Sequence, residues 1–429
     1  MLKIIFYKYA KFATLLLENT LKKIKPCDIL LSCGDADRSF VYKELHYSPL
    51  IDSFTNYCEI RGISVCSISD RISHYYGERA YNSPYTANRS LLMIRFVLKV
   101  IKVFGLSEKK LFKLRIKFET IIWRNALLLT KPRIVIGIQP DIPLCIACNE
   151  QQIPIYDLQH GVITGTDDNR YYSLGYLSTC NDNYLPYGFL VWDKASEKVI
   201  RSIPKFKNRE IFLLGNPWYT RFINPDENDI LVNSELLLIS KLDPSLPIII
   251  VTLQYKIDEY APDYVPDGVM TESLRETIGN TQNRYQWIIR LHPSQLVGNE
   301  KQRIYLYLDN LFSHMKNVQW EWCSAIALPA LLKISKLHIT HYSATTIEAA
   351  WMNVPTILLD PHIKPNSKHE TFYLHERSAG YAYTVPLETK TLETFIKKII
   401  TGEIKNNLEI LCNNNLPQFI EQTFGLKHD

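Results

Sequence analysis

Absences narrow this chain first. No G-x-G-x-x-G and no G-x-x-x-x-G-K-[ST] occurs, which argues against dinucleotide oxidoreductases and P-loop NTPases, and the G-x-S-x-G of a nucleophile elbow is missing too. No run of 18 apolar residues is present, and Lys3, Lys8 and Lys11 interrupt the apolar N-terminus. Neither a transmembrane helix nor a signal peptide is therefore expected, and a cytoplasmic location follows. The nine cysteines are odd in number and offer one close pair, Cys145 and Cys148, with no second pair at metal-ligand spacing. Buried thiols in a reducing compartment are expected, in place of a disulfide framework or a zinc site. No internal repeat or low-complexity linker marks a boundary.

What is present is a globular composition. The chain has 429 residues, 46% hydrophobic, 22% charged and 12% aromatic, enough for two or three cored domains and unlike disordered or collagenous chains. The net charge of +5, from 49 basic and 44 acidic residues, is too mild to imply a nucleic-acid partner. The bias is concentrated, however. Between Arg89 and Arg133 stand twelve Lys or Arg against only Glu108 and Glu119. Their interleaving with apolar residues at helical spacing gives one greasy and one cationic face. Such a face suits either a core-facing helix pair solvated by lysine or contact with an anionic membrane surface or acceptor.

Short β-branched runs then set the fold class. Residues 1 to 24 read as a basic helix. Strands are expected at Asp28 to Ser32, Gly62 to Ile68, Arg133 to Ile138, Ile153 to Tyr156, Gly188 to Trp192 and Ile211 to Leu214. A second series follows at Ile248 to Leu253, Trp287 to Leu291, Val318 to Trp322, Leu337 to Thr340, Pro355 to Leu359 and Tyr381 to Val385, with helices near 271 to 279, 299 to 314, 328 to 335, 343 to 352 and 388 to 401. This alternation predicts two doubly wound α/β domains. The boundaries expected are 1 to 215, a Pro-punctuated linker over 216 to 246, 247 to 402, and a tail from 403 to 429 that packs back.

Ligands of open α/β sheets bind beyond the carboxyl ends of strands, which selects three stretches. In RLHPS, Arg290 and His292 follow a strand, and Pro293 holds His292 rigidly. In LHITHYSATTIEAAWMNVP, Ser343, Ala344, Thr345 and Thr346 open a helix that carries Glu348. That start suits a phosphate, or an ordinary cap with Glu348 completing a capping box from Thr345. In IYDLQHG, Asp157, Gln159 and His160 end another strand, where a histidine beside a carboxylate can serve as general base or stay structural. Asp35 and Asp37 have a D-x-D spacing that could hold a cation, with no third carboxylate evident.

Taken in order, Gln159-His160-Gly161, FLVWD (189 to 193), LLGNP (213 to 217), RLHPS and YSATTIEAAWMNVP resemble the GT-B glycosyltransferases of bacterial surface-polysaccharide synthesis. The Gln-His and His-Pro combination resembles capsule and lipopolysaccharide transferases that use CMP-activated 2-ulosonic acids (Kdo), and more loosely sialyltransferases. His160-Gly161 with YSATT is also similar to CDP-glycerol glycerophosphotransferases of teichoic acid synthesis. The resemblance implies two Rossmann-like domains facing a central cleft, the first for acceptor and the second for a nucleotide sugar. It implies Asn216, Gln254, Arg290, His292, Pro293, Ser343, Ala344, Thr345, Thr346 and Glu348 as donor-binding residues, and His160, Asp157 and Gln159 as catalytic ones. It implies neither metal nor cofactor, a glycan or glycolipid acceptor, and work at the inner membrane. Asp167 and Asp168 are further acidic candidates. A UDP-sugar transferase or epimerase, and a non-catalytic glycan-assembly protein at the membrane, are the alternatives.

Overall fold

Short apolar runs rich in β-branched residues, closed by polar turns, fold as parallel strands in the computed structural model of this chain. It describes residues 17–75, 79–163, 181–239, 245–367, 369–405 and 407–425. Asp167, Asp168 and the first 16 residues of the expected basic helix lie outside these; in the remainder of that helix only a 3-10 turn forms, Leu21–Lys23. Two compact units result, one of Met1–Trp218 with Asn413–Asp429, the other of Tyr219–Cys412.

The first unit holds a seven-stranded parallel sheet. Its strands are β1 (Ile29–Ser32), β4 (Val65–Ser69), β5 (Tyr85–Thr86), β6 (Ile134–Gly137), β7 (Ile155–Leu158), β8 (Gly188–Val191) and β9 (Glu210–Leu213), in the order β5-β4-β1-β6-β7-β8-β9. A separate antiparallel hairpin pairs β2 (Phe40–Tyr42) with β3 (Leu45–Tyr47). The hairpin and β5 escape a reading of the sequence because two or three residues are too few to establish a period. The basic segment becomes two helices, Asn88–Val103 and Glu108–Thr130, packed on each other. Cys145 and Cys148 are buried on the helix Ile142–Glu150, and burial pushes both thiols well up.

The second unit holds six parallel strands, β10 (Ile248–Thr252), β11 (Gln286–Arg290), β12 (Val318–Gln319), β13 (Leu337–Thr340), β14 (Thr356–Leu358) and β15 (Ala382–Thr384), ordered β12-β11-β10-β13-β14-β15. Trp287, Ile289, Leu308, Phe312 and Ile396 fill the core on one face of this sheet. In each sheet the strand order runs outward on one side of the first strand and then restarts on the other. The switch falls between β1 and β6, and again between β10 and β13. Both units are thus doubly wound, and each opens a crevice at its switch point.

The segment 216–246, expected as a linker, instead carries the helices Pro217–Ile223 and Ile230–Leu238. Pro217 starts the first of them, as proline does at a first helical turn, and Pro225 lies between the two. The chain leaves the second unit near Cys412 and rejoins the first, where Asn413 and Asn415 donate to the Trp192 and Leu213 carbonyls at 2.9 and 2.7 Å. Phe419 then packs on Phe54, Tyr156 and Phe212. Gly215 permits this return: its φ is +86°, and a Cβ there would stand 1.7 Å from the Asn413 carbonyl oxygen.

Candidate functional site

At the second unit's switch point the ends of β10 and β13 are tied together by side chains. Thr340 Oγ1 donates to the Thr252 carbonyl at 2.9 Å. Beneath them His338, wholly buried, bonds Thr252 Oγ1 through Nε2 and Thr356 Oγ1 through Nδ1, each at 2.9 Å, so three adjacent strands are cross-linked by one imidazole. Burial lowers its pKa to about 3 and that of the neighbouring strand-end His341 to about 4.

Above this floor lie the two loops singled out in the sequence. Pro293 opens a 3-10 turn, and the Ser294 N–H donates to His292 Nδ1 at 3.1 Å. Since Nδ1 accepts, the neutral ring carries its proton on Nε2. Half-burial lowers the pKa of His292, which favours that neutral form at pH 7. Gln295 Oε1 receives the His292 N–H at 2.8 Å, while its Nε2 donates to the Gln254 carbonyl at 3.2 Å. Gln254 Oε1 in turn receives the Tyr342 N–H at 2.7 Å. A chain of three hydrogen bonds therefore joins the loop of His292 to the loop of Ser343.

The hydroxyls of the Ser-Ala-Thr-Thr stretch separate in the structure. Thr345 Oγ1 faces inward, 3.1 Å from Thr252 Oγ1 and 3.3 Å from His338 Nε2, and Thr346 is buried. Ser343 is half-buried, and its Oγ receives the Thr345 N–H at 3.4 Å. Among the described residues the N–H groups of Ser343 and Ala344 carry no hydrogen bond. The helix Thr345–Trp351 begins after Ala344 with no side-chain cap, so the capping box from Thr345 to Glu348 does not form. Glu348 reaches instead toward Tyr219 and Arg290 inside the unit, and burial pushes its carboxyl up to about 7. Arg290, expected to face a phosphate, is spent internally, its Nη1 donating to the Cys323 and Ile326 carbonyls.

Reading the sequence overlooked Gln295 and a cluster beyond β14. There Asp360 accepts from His362 N at 2.8 Å and lies 2.8 Å from His369 Nδ1, with Tyr260 Oη 3.1 Å away. The available signal was an aspartate directly after a strand, LLD.

The first unit gathers carboxylates at its own switch point. Asp70 follows β4, again directly after a strand, and its Oδ2 receives the Asp141 N–H at 2.9 Å. Burial pushes Asp70 and Asp37 up to about 6 against the opposing pull of Arg71. Asp35 turns to Ser73 and His74, so the D-x-D pair does not converge, and among the described residues no group of three or more His, Cys, Asp or Glu could hold a metal ion.

Asp157 is buried and accepts the Gln139 N–H at 3.0 Å. Gln159 spends its amide inside the unit, accepting from Trp192 N at 2.8 Å and donating to Ser196 Oγ at 3.0 Å and to the Gly161 carbonyl at 2.9 Å. It holds the turn that presents His160, which is exposed. Atoms crowded around that ring, and secondly Arg71, hold its pKa below the usual histidine value. Asn216 belongs to the first unit, apart from the other expected donor residues, and accepts the Trp218 N–H at 3.0 Å.

Solved structures with the same two-sheet plan span nearly the whole chain. The UDP-GlcNAc 2-epimerase of Neisseria meningitidis, bound to UDP-GlcNAc, is 14% identical with a TM-score of 0.53, over 92% of this chain and 98% of its own. That of Methanocaldococcus jannaschii is 15% identical with a TM-score of 0.57, over 92% and 99%. The wall teichoic acid polymerase TagF is 13% identical with a TM-score of 0.56, over 98% and 94%. This chain has the GT-B fold. At such identities the likeness establishes architecture alone. No family model and no curated protein matches the sequence.

Proposed function

We propose that the protein is a nucleotide-sugar-dependent glycosyltransferase that moves a CMP-activated 2-ulosonic acid onto a bacterial surface glycan or glycolipid. The observation that carries this reading is the hydrogen-bonded chain through Gln295 and Gln254, which couples the His292 loop to the Ser343 loop over the β10/β13 switch point. On this reading a phosphate oxygen of the donor lies against the Nε2–H of His292, the Ser343 hydroxyl and the Ser343 and Ala344 N–H groups. Charge developing on the leaving nucleotide meets donors already fixed in place, so no reorganisation is needed in the transition state. Glu348 and Arg290 support the helix behind this loop without touching the phosphate. The first unit takes the acceptor, with His160 as the base for its hydroxyl proton and Gln159 as the residue that positions it. Its lowered pKa leaves the ring unprotonated and able to accept that proton.

A panel of CMP, CDP, UDP and GDP tests the donor class by thermal shift. At a hundredfold excess over Kd, binding adds about 2.7 kcal/mol, roughly 5 to 10 °C for a unit of this size. CMP is expected to give the largest shift. No response to any of the four removes the nucleotide site altogether. Ser343→Ala is expected to weaken nucleotide binding by about 1–3 kcal/mol, read as a 5- to 150-fold rise in Kd. Unchanged affinity would take the phosphate away from this loop.

A UDP-sugar 2-epimerase is the second reading, favoured by the two epimerases with this fold. Epimerised UDP-sugar formed without any acceptor would establish it over transfer.

A further inference from the structure

The helix Asn88–Val103 packs too little of itself. Leu91 is its only fully buried apolar residue, although ten of its sixteen positions from Asn88 to Val103 are Leu, Met, Ile, Val or Phe. Met93, Phe96, Val97, Val100 and Val103 are exposed, as is Phe104 just beyond, with Phe96 at 69%, Val103 at 84% and Phe104 at 79%. Their spacing of i, i+3, i+4, i+7, i+10 and i+11 gathers them into one stripe about 120° wide at 100° per residue. The helix is therefore apolar twice over. One side packs on its neighbour Glu108–Thr130, and the other faces solvent.

Positive charge flanks that stripe. Lys99 lies about 40° beyond its edge at 100° per residue, and Lys109, Lys110, Lys113 and Lys117 are exposed on the paired helix. The two acids of the segment are neutralised: Glu108 is paired with Lys102 at 2.5 Å, and Glu119 is buried with Arg115 at 3.4 Å. No helix of the described residues is long and apolar enough to cross a membrane. A greasy stripe with exposed cations beside it is what an interfacial helix needs, to set its apolar side among acyl chains and its cations among phosphate headgroups.

We propose that the helical hairpin Asn88–Thr130 docks the first unit on an anionic lipid surface through the stripe Met93 to Phe104. Charge selects lipid over a second copy of the chain. A two-fold contact across this stripe would bring the same lysine flanks together and repel. The inference rests on surface chemistry and stands whether or not the chain transfers a sugar.

Co-sedimentation of the full chain with vesicles tests it. Binding is expected to phosphatidylcholine mixed with phosphatidylglycerol, weakly or not at all to phosphatidylcholine alone, and to fall as salt rises. The exposed double variant Phe96→Ser/Phe104→Ser should lower the bound fraction on mixed vesicles by about tenfold or more, since each ring loses a burial step of its own. Lys109→Glu/Lys110→Glu/Lys113→Glu should abolish the preference for the anionic lipid. Unaltered unfolding midpoints would show that both variants fold, and the nucleotide-induced thermal shift should be the same as in the parent. Parent protein that ignores both vesicle types overturns the proposal, as does binding unchanged in both variants. So does a dimer in solution that the serine variant converts to monomer, which would assign the stripe to a second copy.

Discussion

Replacing His292 with alanine is expected to lower the proposed sugar transfer by about a hundred- to a thousandfold, the loss found when one fixed donor to a developing oxyanion is removed. The argument depends on which nitrogen holds the proton. A backbone N–H, from Ser294, occupies Nδ1, so Nε2–H is the donor the ring can offer a ligand. The substitution deletes one half-buried ring whose own bonds stay within its turn, and the unfolding midpoint should hardly change. His292→Gln, which keeps an N–H donor on a flexible stem, should recover part of the rate. Steady-state transfer and the nucleotide thermal shift should fall together. An alanine variant with full activity would remove the loop from the site, and with it the proposed donor pocket.

The second large effect is an acid lability centred on His338. Its pKa is depressed to about 3 in the folded protein, against 6.5 for an unhindered ring. Below pH 6.5 the unfolded chain takes up a proton that the folded chain refuses. Its contribution to stability is present above pH 6.5 and is lost as pH falls toward the folded value. At about 1.4 kcal/mol per pH unit, the loss reaches roughly 2 kcal/mol at pH 5.

Asp37, Asp52 and Asp70, each pushed up to about 6, act in the opposite sense over the same range, because their burial penalty lifts as they protonate. The whole-protein curve therefore mixes both trends, and the difference between variants isolates one. His338→Gln should be destabilised at pH 7, since it breaks the bonds to Thr252 and Thr356. The gap to the parent should narrow by roughly 2 kcal/mol on going to pH 5. Parallel curves would mean that His338 titrates alike in both states.

The strands of both sheets other than β5 were legible because parallel strands buried on both faces are written as short apolar runs rich in β-branched residues. IIIVT at Ile248–Thr252 and LHIT at Leu337–Thr340 fall within a residue of their expected bounds. The short hairpin Phe40–Tyr47 was not, since its three-residue strands alternate too briefly to register. The helices over 217 to 238 were hidden by prolines that mark helix starts as readily as linkers.

The direction in which the motif side chains point was not legible. Ser343, Thr345 and Thr346 are alike as letters, yet one hydroxyl stays near the surface while its two neighbours turn inward, to His338 and into the core. Arg290 and Glu348 are charged residues at a strand end and a helix start beside the switch point, and they face the interior. A side chain's direction is set by helix phase and by which carbonyls need a partner, and neither is encoded by residue type at one position.

The sequence by itself determined the layer plan: two α/β units, most of their strand ends, and a basic, apolar segment ahead of β6. Burial periodicity is local and survives in one dimension. Only the tertiary structure decided which strands became neighbours across the switch point, and so which residues share the site. Gln295 and Gln254 are 41 residues apart and hold the His292 and Tyr342 loops together through hydrogen bonds that exist only once β10, β11 and β13 lie side by side.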